Sequence, residues 1–125
     1  MIEHVSIGVR DLAKAKKFYD AAFAPLGYKC LTEGAGWLGY GSKAPEFWVL
    51  KVERPVPGDA ASGLHFCVGA ASRKVVDAFY QAALSSGGSD NGKPGVRVDY
   101  GENYYAAFVN DPEGYRIEAY FGGAA

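Results

Sequence analysis

The chain has two histidines, His4 and His65. Each stands near the start of a stretch that alternates like a strand: Glu3-His4-Val5-Ser6-Ile7-Gly8-Val9 and Leu64-His65-Phe66-Cys67-Val68-Gly69-Ala70. A carboxylate, Glu118, sits in a third such stretch, Tyr115 to Phe121. Two imidazoles and a carboxylate are a donor set for a divalent metal such as Mn, Fe, Ni, Co or Zn. Three donors on one side of the ion leave positions open for water or substrate, so His4, His65 and Glu118 are the candidate metal ligands. No further cofactor is implied. Around them stand weaker candidates for catalysis or binding. Cys67 lies beside His65 and would be reactive if a metal or cation lowered its pKa. Arg116 suits an anionic substrate group, because guanidinium matches carboxylate or phosphate. Tyr120 and Trp48, with Trp37 or Tyr105, can wall a cleft. Tyr19 and Tyr80 read as packing residues.

These residues need elements that bring them to one face. In the first stretch Val5, Ile7 and Val9 point one way and His4, Ser6 and Gly8 the other. In the last, Tyr115, Ile117, Ala119 and Phe121 oppose Arg116, Glu118 and Tyr120. The apolar sets suit the underside of a helix, and the others line a cleft. Asp11 reads as an N-cap. Leu12, Ala15, Phe18, Tyr19, Ala22, Phe23 and Leu26 then recur at helical spacing, and Gly27 is a stop. Strands follow over 28–32, 37–41 and 46–53.

The second half repeats this plan. Adding 61 carries His4 to His65, Phe18 to Phe79, Tyr19 to Tyr80, Gly27 to Gly88 and the cap Asp11 to Ser72. Residues 85–95 read as a polar, Gly-rich loop, with strands over 96–100, 104–110 and 115–121. Past the loop the offset reads as 68, matching Tyr40 with Phe108, Phe47 with Tyr115 and Leu50 with Glu118. Asp111-Pro112-Glu113-Gly114 has the residue types of a type I turn. The expected fold is α+β: one domain over 1–125, made of two βαβββ units (1–53 and 63–121) joined by a linker (54–62). The mostly antiparallel sheets would curve around a cleft.

At 125 residues, with 49% hydrophobic and 22% charged content, the chain can bury its own core. A net charge of −1 with no basic run argues against nucleic acid or anionic membrane as a partner. No apolar stretch approaches the roughly 20 residues of a spanning helix. Two cysteines, one in each half, do not make a disulfide framework. The expectation is a cytoplasmic protein with reduced thiols, acting on a small molecule.

The repeat, the opening Ile2-Glu3-His4-Val5-Ser6-Ile7 and the closing Asp111-Pro112-Glu113-Gly114-Tyr115-Arg116-Ile117-Glu118 resemble the vicinal oxygen chelate superfamily. This is the glyoxalase, bleomycin resistance protein and dioxygenase family. The resemblance implies metal ligands in the first and last strands of each unit. Carried over by position, those slots are His4, Leu50, His65 and Glu118, and glyoxalase I normally has a glutamate where Leu50 stands. It further implies a divalent-metal-dependent lyase, isomerase or transferase acting on an oxygen-chelating substrate, though not an efficient glyoxalase I. The alternative is a metal-free binder of the bleomycin-resistance type. A ring-cleaving dioxygenase is disfavoured, because it needs a further histidine in the cleft. The resemblance also implies a homodimer, with units pairing within a chain or across two.

Overall fold

The computed structural model describes residues 1–124. Its eight strands and two helices follow the order of two βαβββ units. The first comprises β1 (Val5–Val9), α1 (Leu12–Phe23), β2 (Lys29–Gly34), β3 (Trp37–Gly41) and β4 (Phe47–Lys51). The second comprises β5 (Phe66–Gly69), α2 (Arg73–Ser85), β6 (Ser89–Val96), β7 (Tyr105–Asn110) and β8 (Arg116–Phe121). Each unit forms a four-stranded mixed sheet, ordered β1-β4-β3-β2 and β5-β8-β7-β6. In each, the first strand pairs parallel with the last and the remaining pairs are antiparallel. No helix among the described residues is long and apolar enough to cross a membrane.

Both helices start where side chains cap them. Asp11 accepts from the Lys14 amide at 3.0 Å and Ser72 from the Val75 amide at 3.2 Å, each satisfying a donor the first turn leaves open. Their apolar stripes are buried: Ala15, Phe18, Tyr19, Ala22 and Phe23 on α1, and Val76, Phe79, Tyr80 and Ala83 on α2. Fully burying one such aromatic side chain contributes about 1.5–3 kcal/mol. The stripes meet the inward residues of both sheets, Ile7, Val9, Phe47 and Val49 on one and Ala107, Val109, Ile117 and Ala119 on the other, in a single core. The helices therefore hold the units side by side. Further ties cross between them: the Tyr115 hydroxyl donates to the Gly8 carbonyl at 2.6 Å, and Arg10 pairs with Glu113 at 2.7 Å.

The stretch expected to be a loop over 85–95 is largely strand β6. Its glycines are accommodated by register shifts between Asp90 and Gly92 and between Gly92 and Gly95. Arg97 fastens the irregular strand, donating to the Lys93 carbonyl at 2.6 Å and the Gly95 carbonyl at 2.9 Å. Residues 98–100, expected as strand, form the turn that follows. The two helix stops also differ. Gly27 closes its helix end at φ +83°, whereas in the second unit Gly87 takes the positive φ, at +100°. Gly88 is needed for a different reason: a Cβ there would lie 2.5 Å from the Phe18 ring and 2.9 Å from two backbone carbonyls.

Asp90 anchors the start of β6. It accepts from the Tyr80 hydroxyl of α2 at 3.0 Å and the Gly92 amide at 2.9 Å. These bonds, the Gly92 amide foremost, hold its carboxyl below the ordinary 3.8. A depressed folded-state pKa means that the stabilisation is present above 3.8 and is lost as pH falls through the folded value. Asp90→Ala is therefore predicted to melt below the native protein at neutral pH, with the gap closing on acidification below 3.8. A gap independent of pH, followed by circular dichroism, would refute the prediction.

Candidate functional site

Period-2 alternation sorts the sheet residues into a core face and an outward face. The outward side chains line two cavities that share no residue. The first, about 460 Å³, is lined by Glu3, His4, Ser6, Ala44, Pro45, Trp48 and Leu50. The second, about 580 Å³, is lined by Gly63, His65, Asn91, Tyr100, Tyr104, Phe108, Arg116 and Glu118.

The second cavity holds the polar centre. Glu118 is 2% exposed, on an inner strand of its sheet between the core residues Ile117 and Ala119. A buried carboxylate must be paired or hydrogen-bonded, and both its oxygens are: Oε1 lies 2.9 Å from His65 Nε2, and Oε2 accepts from the Tyr104 hydroxyl at 2.6 Å. Burial, reinforced by this bond to Glu118, pushes the Tyr104 phenol well above its ordinary range, so it stays a donor. His65 stands on the cavity rim, its ring stacked on Phe108 with 6.1 Å between centroids. The Tyr104 and Tyr120 rings lie 4.2 Å apart. Arg116 reaches back to the Leu64 carbonyl at 3.0 Å. Cys67 is cross-strand from Glu118. Although Cys67 is exposed, partial desolvation and the Glu118 charge raise its thiol to about 11, and no cation beside it among the described residues lowers it toward an activated nucleophile.

His4 is not among these residues. It precedes β1, is exposed, touches Glu3, and lines the other cavity. Among the described residues no group of three or more His, Cys, Asp and Glu side chains is placed to hold a metal. One chain brings together His65 and Glu118 only. These two fit as neighbouring ligands of one ion. Donors about 2.0–2.2 Å from a metal and at right angles are about 3 Å apart, and Nε2 and Oε1 are 2.9 Å apart.

The strand registers correct the expected repeat alignment. Ser6 is cross-strand from Trp48, and its counterpart Cys67 from Glu118. Likewise Gly8 faces Leu50 and Gly69 faces Tyr120. The offset in the last strand is therefore 70, not 68, and Trp48 holds the place of Glu118 while Leu50 matches Tyr120. Phe47 matches Ile117 rather than Tyr115. Matching aromatics by type misled here, because β6 and the turn after it are longer than β2 and its turn. A slip of two residues leaves every side chain on its own face, so the division into core and outward sets was unaffected. The partner strand compensates for the exchange. Gly39 lies opposite Trp48, where a Cβ would sit 2.7 Å from the indole, and Phe108 lies opposite Glu118. A small residue beside a large one in the first sheet becomes a large one beside a small one in the second.

Tyr105 does not wall the cleft. It has core-face parity: its hydroxyl donates to Asp77 of α2 at 2.7 Å and its ring lies under Arg73. Counting β7 outward from Phe108 in twos gives Ala106 and Tyr104, so alternation alone could have found the tyrosine that orients Glu118. Trp37 and Trp48 do lie together, 6.0 Å apart.

The Glyoxalase/Bleomycin resistance protein/Dioxygenase superfamily profile matches residues 1–119. The chain belongs to this superfamily. No curated protein matches it. Among solved structures, a glyoxalase/bleomycin resistance protein from Albidiferax ferrireducens T118 is 31% identical, with 94% of each chain covered and a TM-score of 0.80. A family enzyme from Burkholderia phytofirmans PsJN is 15% identical over 98% of each chain, with a TM-score of 0.74. A glyoxalase-related enzyme from Fulvimarina pelagi is 15% identical, covering 97% of this chain and 87% of its own, with a TM-score of 0.75. The last two share the fold. The superfamily's two-unit architecture is thus the one described above, with its outward faces carrying the two cavities.

Proposed function

We propose that this superfamily member is a divalent-metal-dependent enzyme acting on a small substrate that chelates through two oxygens. The metal would be held by His65 and Glu118 of one chain with His4 of a second copy, in a homodimer that joins the first cavity of one chain to the second cavity of the other. The observation that carries this reading is the 2.9 Å pair of His65 and buried Glu118, a fitting half of a ligand set, with the remaining histidine in a separate cavity of the same chain. Unpaired edge strands in both sheets and exposed apolar residues such as Trp37, 38% exposed, also favour a second copy. Tyr104 would keep Glu118 turned toward the ion, as outer hydrogen bonds to ligands commonly do. The metal would supply Lewis acidity toward an enolate, alkoxide or oxyanion. The protein's own contribution would be to orient the substrate between the Trp37–Trp48 pair and the tyrosines of the second cavity, and to exclude water there.

A metal-free binder of the bleomycin-resistance type is the second reading. It is favoured by the fact that His65 and Tyr104 already satisfy both oxygens of Glu118.

A ligand bound only by the folded state stabilises it by about 2.7 kcal/mol at a hundredfold excess over Kd, or roughly 10 °C in Tm for a domain of this size. Melting the EDTA-treated protein with Mn, Fe, Ni, Co or Zn should show such a rise, and His65→Ala should abolish it. Mixed and refolded His4→Ala and His65→Ala proteins should regain part of it, because each heterodimer would carry one intact site. No shift with any metal would favour the binder. A shift in the native protein with no recovery in the mixture would place the whole site within one chain.

A further inference from the structure

Arg116 is a charged side chain of the His65–Glu118 cavity that the ligand set does not use. Two other arginines of the chain are already committed. Arg10 is paired with Glu113, and Arg97 is spent on two backbone carbonyls and the Phe108 ring. Arg116 donates only through Nε, to the Leu64 carbonyl at 3.0 Å, and among the described residues no carboxylate lies within ion-pairing distance of it. Guanidinium has five N–H donors in a planar fork, so four remain on its two terminal nitrogens. The Nε anchor fixes the plane of that fork. It also ties Arg116 to the residue next to His65, so the guanidinium and the imidazole are held in register. Glu118 follows two residues along β8 on the same face, roughly 7 Å away at the usual strand rise.

We propose that the cavity binds a small aryl carboxylate, its carboxylate held end-on by the two terminal nitrogens of Arg116 and its ring lying among Tyr100, Tyr104 and Phe108. Arg116 is then a specificity-determining residue. This deepens the metal-dependent reading by naming the substrate class, and it rests on that reading only for the end of the molecule that reaches His65 and Glu118. A carboxylate matches the fork with two parallel hydrogen bonds. The Glu118 charge, which opposes an incoming anion, is engaged on both oxygens by His65 and Tyr104. Arg97, with its guanidinium carbon 5.3 Å from the Phe108 ring centre, adds positive charge to the same wall.

The test uses the EDTA-treated full chain, so its outcome does not depend on the metal site. Benzoate, benzamide and phenyl phosphate are titrated while the side-chain Nε–H resonance of Arg116 is followed by NMR. Benzoate should shift that resonance saturably, and neutral benzamide should not. Arg116→Gln should weaken benzoate at least about tenfold, the loss expected for a charge-assisted hydrogen bond. Arg116→Lys should retain part of the affinity, and it serves also if the Gln variant folds poorly. Unchanged benzoate affinity in either variant, or equal binding of benzamide, would overturn the proposal. Tighter binding of phenyl phosphate than of benzoate would overturn the choice of carboxylate. Because no metal is present, failure of the metal site would leave a positive result standing, and a metal shift would not rescue a negative one.

Discussion

Asp111→Ala is expected to destabilise the protein by about 3–4 kcal/mol, among the larger losses a single substitution causes. Asp111 is 5% exposed and accepts four hydrogen bonds. Oδ1 takes the amides of Glu113, Gly114 and Tyr115 at 2.8–2.9 Å, and Oδ2 takes the Tyr19 hydroxyl at 2.5 Å. The Tyr19 partner lies on α1 and is fully buried, so one carboxylate organises the turn into β8 and also fastens the two units together. Removing it strands a buried hydroxyl and two or more amides. Each uncompensated buried group costs about 1–3 kcal/mol, and the losses are not additive. Gly114 retains its bond to the Asp111 carbonyl at 3.0 Å and its φ of +104°, so the turn loses support without losing its shape. Asp111→Asn keeps an oxygen for the amides and should cost about 1 kcal/mol, since its amide can donate to the Tyr19 oxygen. Urea denaturation measures both. A loss below about 1 kcal/mol for the alanine variant would mean that water replaces the carboxylate, contrary to this account. Because β8 carries Arg116 and Glu118, the alanine variant should also disturb the second cavity at a distance.

That turn was legible in the sequence, because Asp, Pro and Gly at fixed positions have conformational reasons to be there. So were both N-caps and the division of β1 and β8 into core and outward sets, which follows from a period of two that tolerates errors of two residues. On β7 the same alternation puts Tyr105 on the core face, not on the cleft wall expected for it. Three things were not legible. The glycines of β6 read as a loop because bulges carry glycine as loops do, and only the cross-strand partners on β7 distinguish them. The repeat offset failed past α2, because residue types were matched where segment lengths had changed. The separation of His4 from His65 was hidden for a third reason. Alternation says which face a residue occupies, but not whether two faces of one chain meet. That depends on the helices α1 and α2 packing into a common core, which leaves each outward face to its own cavity. The pair that is brought together, His65 and Glu118, lies within one sheet, joined by the parallel β5–β8 ladder.

On the metal-dependent reading, the ladders put Trp48 rather than Leu50 at the fourth ligand position, which predicts a catalytic deficit and a way to reverse part of it. Glyoxalase I normally has a glutamate there, and proton transfer beside a carbonyl needs a basic group within reach. Such a group is typically worth 10²–10⁴ in rate. An indole offers neither a lone pair for a metal nor a base. Gly39 lets the ring lie close against β3, and Trp37 packs 6.0 Å away, so Trp48 forms part of the cavity wall. Leu50, two residues on and outward on the same face, supplies no substitute. The metal-loaded protein is therefore expected to turn over the methylglyoxal–glutathione hemithioacetal with a kcat/KM below about 10⁵ M⁻¹s⁻¹, in the lower part of the ordinary enzyme range. A higher value would show that no carboxylate is needed at this position. The register makes a sharper distinction. Ser6 faces Trp48 in the ladder that corresponds to Cys67 facing Glu118. Trp48→Glu should therefore place a fourth donor at the metal, increase the metal-induced rise in Tm, and bring hemithioacetal turnover up by about tenfold or more. Leu50→Glu should do neither, since its carboxylate would stand where Tyr120 stands in the second unit. If Leu50→Glu tightens metal binding and Trp48→Glu does not, the equivalence drawn from the ladders is wrong, and Leu50 is the fourth position after all.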